Sequence, residues 1–138
     1  MQLNARQERA IEAQQTALEK TAGLGSRIDI VLTLIRIGVF FGNNQLISTN
    51  LTKADELIEK GGDWDRRNRL KVYRGLHLLS IRQFKPASAL LIDALSTFTA
   101  TELLSYSDFV SLTVISSTLT LNRVDLKKKV CEENTLLV

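Results

Sequence analysis

The sequence predicts an all-α protein built from stacked, antiparallel helix pairs. Three observations carry this. The 138 residues contain one Pro and seven Gly, few for an all-β chain that must turn often. Apolar residues recur at i, i+3 and i+4 over windows longer than ordinary strands. Small residues, Gly on one helix and Ala on the next, recur where two helices of a hairpin would press together.

Taken in order, residues 3–22 read as a helix with a thin stripe of Leu3, Ala10, Ile11, Ala13, Ala17 and Leu18, which needs a neighbour or a partner to be stable. Gly23 and Gly25 end it. Ser26 is the expected cap of a second helix over residues 27–42, which is apolar nearly all round from Ile28 to Phe41 and so expected in the middle of a stack. A polar break at 42–44 leads to a third helix, marked by Leu46, Ile47, Leu51, Ala54, Leu57 and Ile58 and closing near Lys60. Gly61 and Gly62 punctuate the chain, and Asp63 is a good N-cap for a fourth helix reaching Arg82, with Leu70, Tyr73, Leu76 and Leu79 on one side. Pro86 falls in the first turn of a fifth helix, where the missing N–H matters least. The stripe of that helix runs Ala87, Leu90, Leu91, Ala94, Leu95, Phe98. Thr99 and Glu102 have the spacing of a capping box for a short helical turn. Ser107 is the expected cap of a sixth helix over 108–121. There Phe109, Leu112, Ile115 and Leu119 keep helical spacing, although SLTVISSTLT has strand-like propensity. A basic segment at 126–130 closes the interpretable chain.

Hydrophobic residues make up 44% and charged residues 24%, a globular composition. A formal charge of +3 is too small to imply nucleic acid without a focused patch. The single cysteine, Cys131, excludes an internal disulfide and a cysteine-built zinc cage. The first 22 residues have charges throughout and no apolar signal region. The apolar run 28–41 contains Asp29 and Arg36 and is too short to span a bilayer. These features predict a soluble intracellular protein with no membrane and no nucleic-acid partner.

The internal repeat is the strongest signal. Residues 69–99 resemble a tetratricopeptide unit, with Gly75 at the small position of the first helix and Ala87, Leu91 and Ala94 at small, large and small positions of the second. Residues 34–60 are a looser copy, with Gly38 and Phe41 on the first helix and Ala54 on the second if the loop is lengthened. Gly38, Ala54, Gly75, Ala87 and Ala94 are therefore the expected helix-packing residues. An irregular helical bundle remains the alternative, and both belong to the same class.

No constellation for catalysis, metal or cofactor emerges. His77, the only histidine, has Leu76 and Leu78 beside it and reads as a packed structural residue rather than a general base. Cys131 beside Lys129 could have a somewhat activated thiol, but an ordinary thiol is the plainer reading. There is no phosphate loop, HExxH or paired-carboxylate motif. The basic residues Arg66, Arg67, Arg69, Lys71 and Arg74 on the fourth helix are candidate partner-contacting groups, with Arg67, Lys71 and Arg74 sharing one face. A solvated face with local ion pairs to Asp63 and Asp65 is the competing reading. Aromatic residues for base stacking are missing there, apart from Tyr73 on the apolar side.

The block GGDWDRRNRLKVYRG at 61–75 is distinctive. With RIDIVLTLIRIGVFF before it and FKPASALLIDALSTFTATELLSYSDFV after it, it resembles the PCI family of 26S proteasome lid subunits over residues 27–130. The resemblance implies a right-handed superhelical array of helix pairs, here an N-terminal fragment without the winged-helix module that follows in the family. It implies a non-catalytic scaffold in ubiquitin-dependent degradation, with other lid subunits and the ATPase ring as partners and a cytoplasmic and nuclear location. The zinc ligands of the lid's metalloprotease are absent. The expected division is an N-terminal arm at 1–22, a helical-repeat domain at 23–130 and a non-native or disordered tail at 131–138. A signalosome paralogue and a peptide-binding tetratricopeptide-like adaptor are the alternatives.

Overall fold

The chain was analysed as a computed structural model describing residues 2–132, with side chains described for 5–130. Of the expected tail at 131–138, residues 133–138 and the side chains of 131 and 132 lie outside the described residues. Among the described residues there is no strand. The helices are α1 (Gln2–Lys20), α2 (Leu24–Phe41), α3 (Asn44–Glu59), α4 (Trp64–Ser80), α5 (Phe84–Asp93), α6 (Tyr106–Thr120) and a short α7 (Arg123–Leu126), with a 3-10 turn at Leu95–Thr97 and a π-helical segment at Lys127–Glu132. The all-helical class stands. The chain forms two compact units, Met1–Leu70 and Lys71–Val138, so α4 gives its first turns to one unit and the rest to the other.

In the first unit, α2 and α3 form a hairpin. The core is Ile28, Val31, Leu32, Leu34 and Ile35 of α2 against Ile47, Leu51, Ala54 and Ile58 of α3. The close approach is made possible at Gly38: a Cβ there would sit 2.7 Å from Ile47 Cγ1. The turn between them closes with crossed bonds, Asn43 N–H to the Gly38 carbonyl at 2.8 Å and Gly42 N–H to Val39 at 3.3 Å, with Gly42 at φ 69°. Asn43 then caps α3 by accepting from Leu46 N–H at 3.0 Å. The apolar circumference of α2 is not covered along its whole length, for Phe40 is 79% exposed at the C-terminal end. α1 packs on α2 with no fully buried side chain among those described.

In the second unit, the same logic joins the later part of α4 to α5. A Cβ on Gly75 would meet Leu91 Cδ2 at 2.7 Å and Cγ at 3.0 Å. Ala87, Leu91 and Ala94 are fully buried beside Val72 and Tyr73. α4 ends with the same crossed bonds as α2, Gln83 N–H to Leu78 at 2.8 Å and Arg82 N–H to Leu79 at 3.0 Å, but here the left-handed residue is Arg82, at φ 63°. A side chain in that conformation costs on the order of 1 kcal/mol that glycine avoids. Arg82→Gly should therefore leave stability unchanged or raise it by up to about 1 kcal/mol, despite the looser unfolded chain, as read by the urea midpoint.

Four sequence-based expectations are corrected. The cap of α2 is Gly23, and Ser26 lies inside the helix, which starts three residues earlier than Ser26 would dictate. The fifth helix stops at Asp93 instead of reaching Phe98. The hydroxyl-rich segment after it holds the helix poorly, and Phe98 is drawn into a stack on Phe109, ring centroids 4.5 Å apart. Thr99 and Glu102 form no capping box: Glu102 instead accepts from the Tyr73 hydroxyl at 3.0 Å. The cap of α6 is Ser105, not Ser107. Ser105 Oγ accepts from Asp108 N–H at 3.1 Å and donates to the Asp108 carboxylate at 2.7 Å, a reciprocal pair that fixes the start of the helix.

Candidate partner-contact surfaces

The α4 cations were the sequence's candidates for partner contact, and each has a definite place. Arg66 reaches from the first turn of α4 to α2. Its Nε and Nη2 donate to the two carboxylate oxygens of Asp29 at 2.9 and 2.6 Å, and Nη1 donates to Asp63 at 2.6 Å. The guanidinium lies 3.2 Å from where a Cβ on Gly25 would stand, so a small residue there gives it room. This bidentate fork fixes the direction of the side chain. Arg69 pairs with Asp65 at 2.9 Å on the same helix, and Lys71 pairs with Asp93 of α5 at 2.6 Å. Arg74 is half-buried and engaged in an interaction. Arg67 is exposed and has no ion pair among the described residues. The run of positive charge seen in sequence is thus largely neutralised by carboxylates that sequence spacing alone could not all supply. Asp29 and Asp93 are distant in the chain.

Asp63 both caps α4, accepting from Arg66 N–H at 2.9 Å, and faces that residue's guanidinium. The backbone N–H bond, followed by the guanidinium charge and its hydrogen bond, holds the carboxyl below its ordinary value of 3.8, against the opposing effect of desolvation. The folded chain therefore binds this proton less readily than the unfolded chain. The contribution is complete above the ordinary value and is lost as pH falls through the lowered one. Asp63→Asn, which can still cap, should flatten the loss of stability below pH 3.8 and leave the profile above it nearly unchanged, as read by urea midpoints across pH.

His77 is buried in α4, and desolvation lowers its pKa from 6.5, so it stays neutral at physiological pH. Among the described residues no group of three or more His, Cys, Asp or Glu is placed to hold a metal ion. No described helix is long and apolar enough to cross a membrane. The five helix-packing candidates are all buried: Gly38 lies against Ile47 and Gly75 against Leu91, while Ala54, Ala87 and Ala94 have no exposed surface.

Sequence reading missed the exposed apolar surface of the second unit. Along α6 the buried side chains are Phe109, Thr113, Ser116 and Ser117, whereas Ile115 is 59% and Leu119 66% exposed. The stripe expected to face the core is therefore split: of its four members only Phe109 is enclosed, and Leu112 is half-buried. Two of the three enclosed hydroxyls are satisfied by the helix itself: Thr113 Oγ1 donates to the Phe109 carbonyl at 2.8 Å, and Ser116 Oγ to Thr113 at 3.1 Å. Thr120 Oγ1 donates to Ser116 at 2.9 Å and meets Ser88 Oγ of α5 at 2.7 Å. The wheel of SLTVISSTLT does separate hydroxyls from Leu and Ile, a signal available in sequence, but it does not say which arc faces in.

Comparison with known proteins adds the family. The family model described as 26S proteasome subunit RPN7 matches residues 5–129. The 26S proteasome non-ATPase regulatory subunit 6 of Dictyostelium discoideum is 46% identical over 93% of this chain and 34% of its own length. The protein of the same name from Caenorhabditis elegans is 45% identical over 91% of this chain and 30% of its own. The 26S proteasome regulatory subunit RPN7 of Saccharomyces cerevisiae is 43% identical over 88% of this chain and 28% of its own. The chain thus spans about a third of the length of these relatives. With a match across nearly all its helices, this chain belongs to the 26S proteasome subunit RPN7 family.

Proposed function

We propose that the chain is a non-catalytic scaffold segment of the proteasome regulatory-particle lid, acting in ubiquitin-dependent degradation by presenting helix faces to neighbouring subunits. The observation that carries this is the family match over residues 5–129, which includes both helix hairpins. The chemistry of the described residues agrees with it: the histidine is buried and neutral, and most α4 cations are spent on internal pairs. Residues 1–22 act as a contact arm, a role supported by an α1 whose described side chains are none of them fully buried. A cytoplasmic and nuclear location goes with the same reading, and other lid subunits and the ATPase ring are its partners.

The test is affinity capture of the tagged chain from cell extract, with mass-spectrometric identification of what co-purifies. Lid subunits in the eluate, reduced on deletion of residues 1–22, are the expected result. Signalosome components without proteasome subunits would overturn the assignment.

A further inference from the structure

The outer side of the α5–α6 hairpin has the construction of a docking groove. A cleft of about 520 Å³ is bounded by Arg82, Phe84, Lys85, Pro86, Leu119 and Thr120. A second, of about 610 Å³, adjoins it through Lys85 and Thr120 and extends along α5 past Ala89 and Ile92. Phe84 and Leu119 offer exposed apolar surface to the first cleft, and Ile115 lies one turn back from Leu119 on α6.

The hydrophobic effect does not choose this arrangement for α6 alone. Two large aliphatic side chains face out while three hydroxyl-bearing ones are enclosed, and the Ser117 hydroxyl is enclosed without a hydrogen-bond partner among the described residues. Exposed apolar patches rimmed by polar groups mark interaction sites.

Charge identifies the occupant. Arg82 and Lys85 stand at the rim of the first cleft with no ion pair among the described residues. The carboxylate bordering the second cleft, Asp93, is already engaged by Lys71 at 2.6 Å. The rim is therefore left with a net positive field. A second copy meeting this face through a two-fold axis would set Arg82 and Lys85 against themselves, which disfavours a self-complementary dimer.

We propose that the groove formed by α5 and α6 receives an acidic amphipathic helix of a partner protein. Its Leu, Ile or Phe stripe lies against Phe84, Ile115 and Leu119, and its Asp or Glu residues face Arg82 and Lys85. This rests on the scaffold reading above and specifies the chemistry of one partner.

The test pans a library of helical peptides of about four turns against the full chain, then measures the enriched peptides by fluorescence anisotropy. Enrichment of apolar residues at i, i+3/i+4 with an excess of Asp and Glu beside them is the expected result. Leu119→Glu should weaken the selected peptides by about tenfold or more. Lys85→Glu should abolish the preference for acidic over basic flanks. Both positions are exposed, and circular dichroism checks that the variants keep the parent's helix content. No enrichment, selection of basic peptides, binding indifferent to both variants, or concentration-dependent dimerisation lost in Leu119→Glu would each overturn the proposal. Capture of lid subunits that is unaffected by Leu119→Glu would sink this inference while leaving the scaffold reading intact.

Discussion

Phe109→Ala is expected to cost about 3–5 kcal/mol, the largest single effect in the chain. Phe109 has no exposed surface and heads the fully buried side chains by volume. It stacks on Phe98 at 4.5 Å and 23° between planes, and Phe98 in turn meets Tyr106 at 5.7 Å. Truncation empties a ring-sized volume and removes the surface on which Phe98 holds the segment between the 3-10 turn and α6. The backbone there has few helical bonds of its own to resist collapse. The second unit should unfold at lower urea than the first, so that an unfolding curve of the variant separates into two steps. Phe109→Leu, which keeps much of the volume but not the ring stacking, should cost less than half as much.

Gly75→Val is expected to cost about 1–3 kcal/mol, even though valine is a better helix former than glycine. Two effects oppose each other here. Replacing a mid-helix glycine gains a fraction of a kcal/mol from the unfolded state. Against it, the new Cβ would stand 2.7 Å from Leu91 Cδ2 and 3.0 Å from Cγ. Leu91 is itself fully buried, so it has no free space into which to turn. Overpacking should win. Gly75→Ala brings only the Cβ, and the balance between the two effects should leave it between the parent and Gly75→Val. Thermal unfolding followed by circular dichroism ranks the three chains. The double variant Gly75→Val with Leu91→Ala should recover part of the loss beyond additivity, since the two positions touch.

These two sites also show what a sequence can and cannot disclose here. The Gly75, Ala87, Leu91, Ala94 pattern is local, because helix spacing alone sets these residues on the facing sides of a hairpin, and all four are buried, with Gly75 against Leu91. Gly38 is likewise a buried close-approach position, although the residue it meets is Ile47, which the pattern does not name, and Pro86 falls in the first turn of α5. Phe98 was misplaced because its position depends on Phe109, eleven residues on. Helical spacing extends its stripe to Phe98, whereas tertiary stacking ends the helix at Asp93. Ser105 and Asp108 have the spacing of a reciprocal pair, so the true cap of α6 carries a signal in sequence that the assignment to Ser107 overlooks.

The candidate surfaces divide in the same way. The clustering of Arg66, Arg69 and Lys71 on α4 is visible in sequence. The pairing of Arg69 with Asp65 follows from i,i+4 spacing on α4, but neutralisation by Asp29 and Asp93 requires knowing which helices lie alongside. For α6, both arcs of the wheel are plain, but a helix that buries Thr113, Ser116 and Ser117 while exposing Ile115 and Leu119 reverses the usual assignment. Such a reversal is the kind of local inconsistency that functional surfaces produce.

We propose that this chain works by packing into the lid rather than by chemistry of its own. The most direct measurement is native mass spectrometry of the purified chain mixed with lid subunits assembled without their own RPN7-family member. We expect one copy of the chain to add to the subassembly, with a ratio that does not change as its concentration is raised further. Failure to add any mass, or equal addition to a lid that already contains its own family member, would contradict the claim.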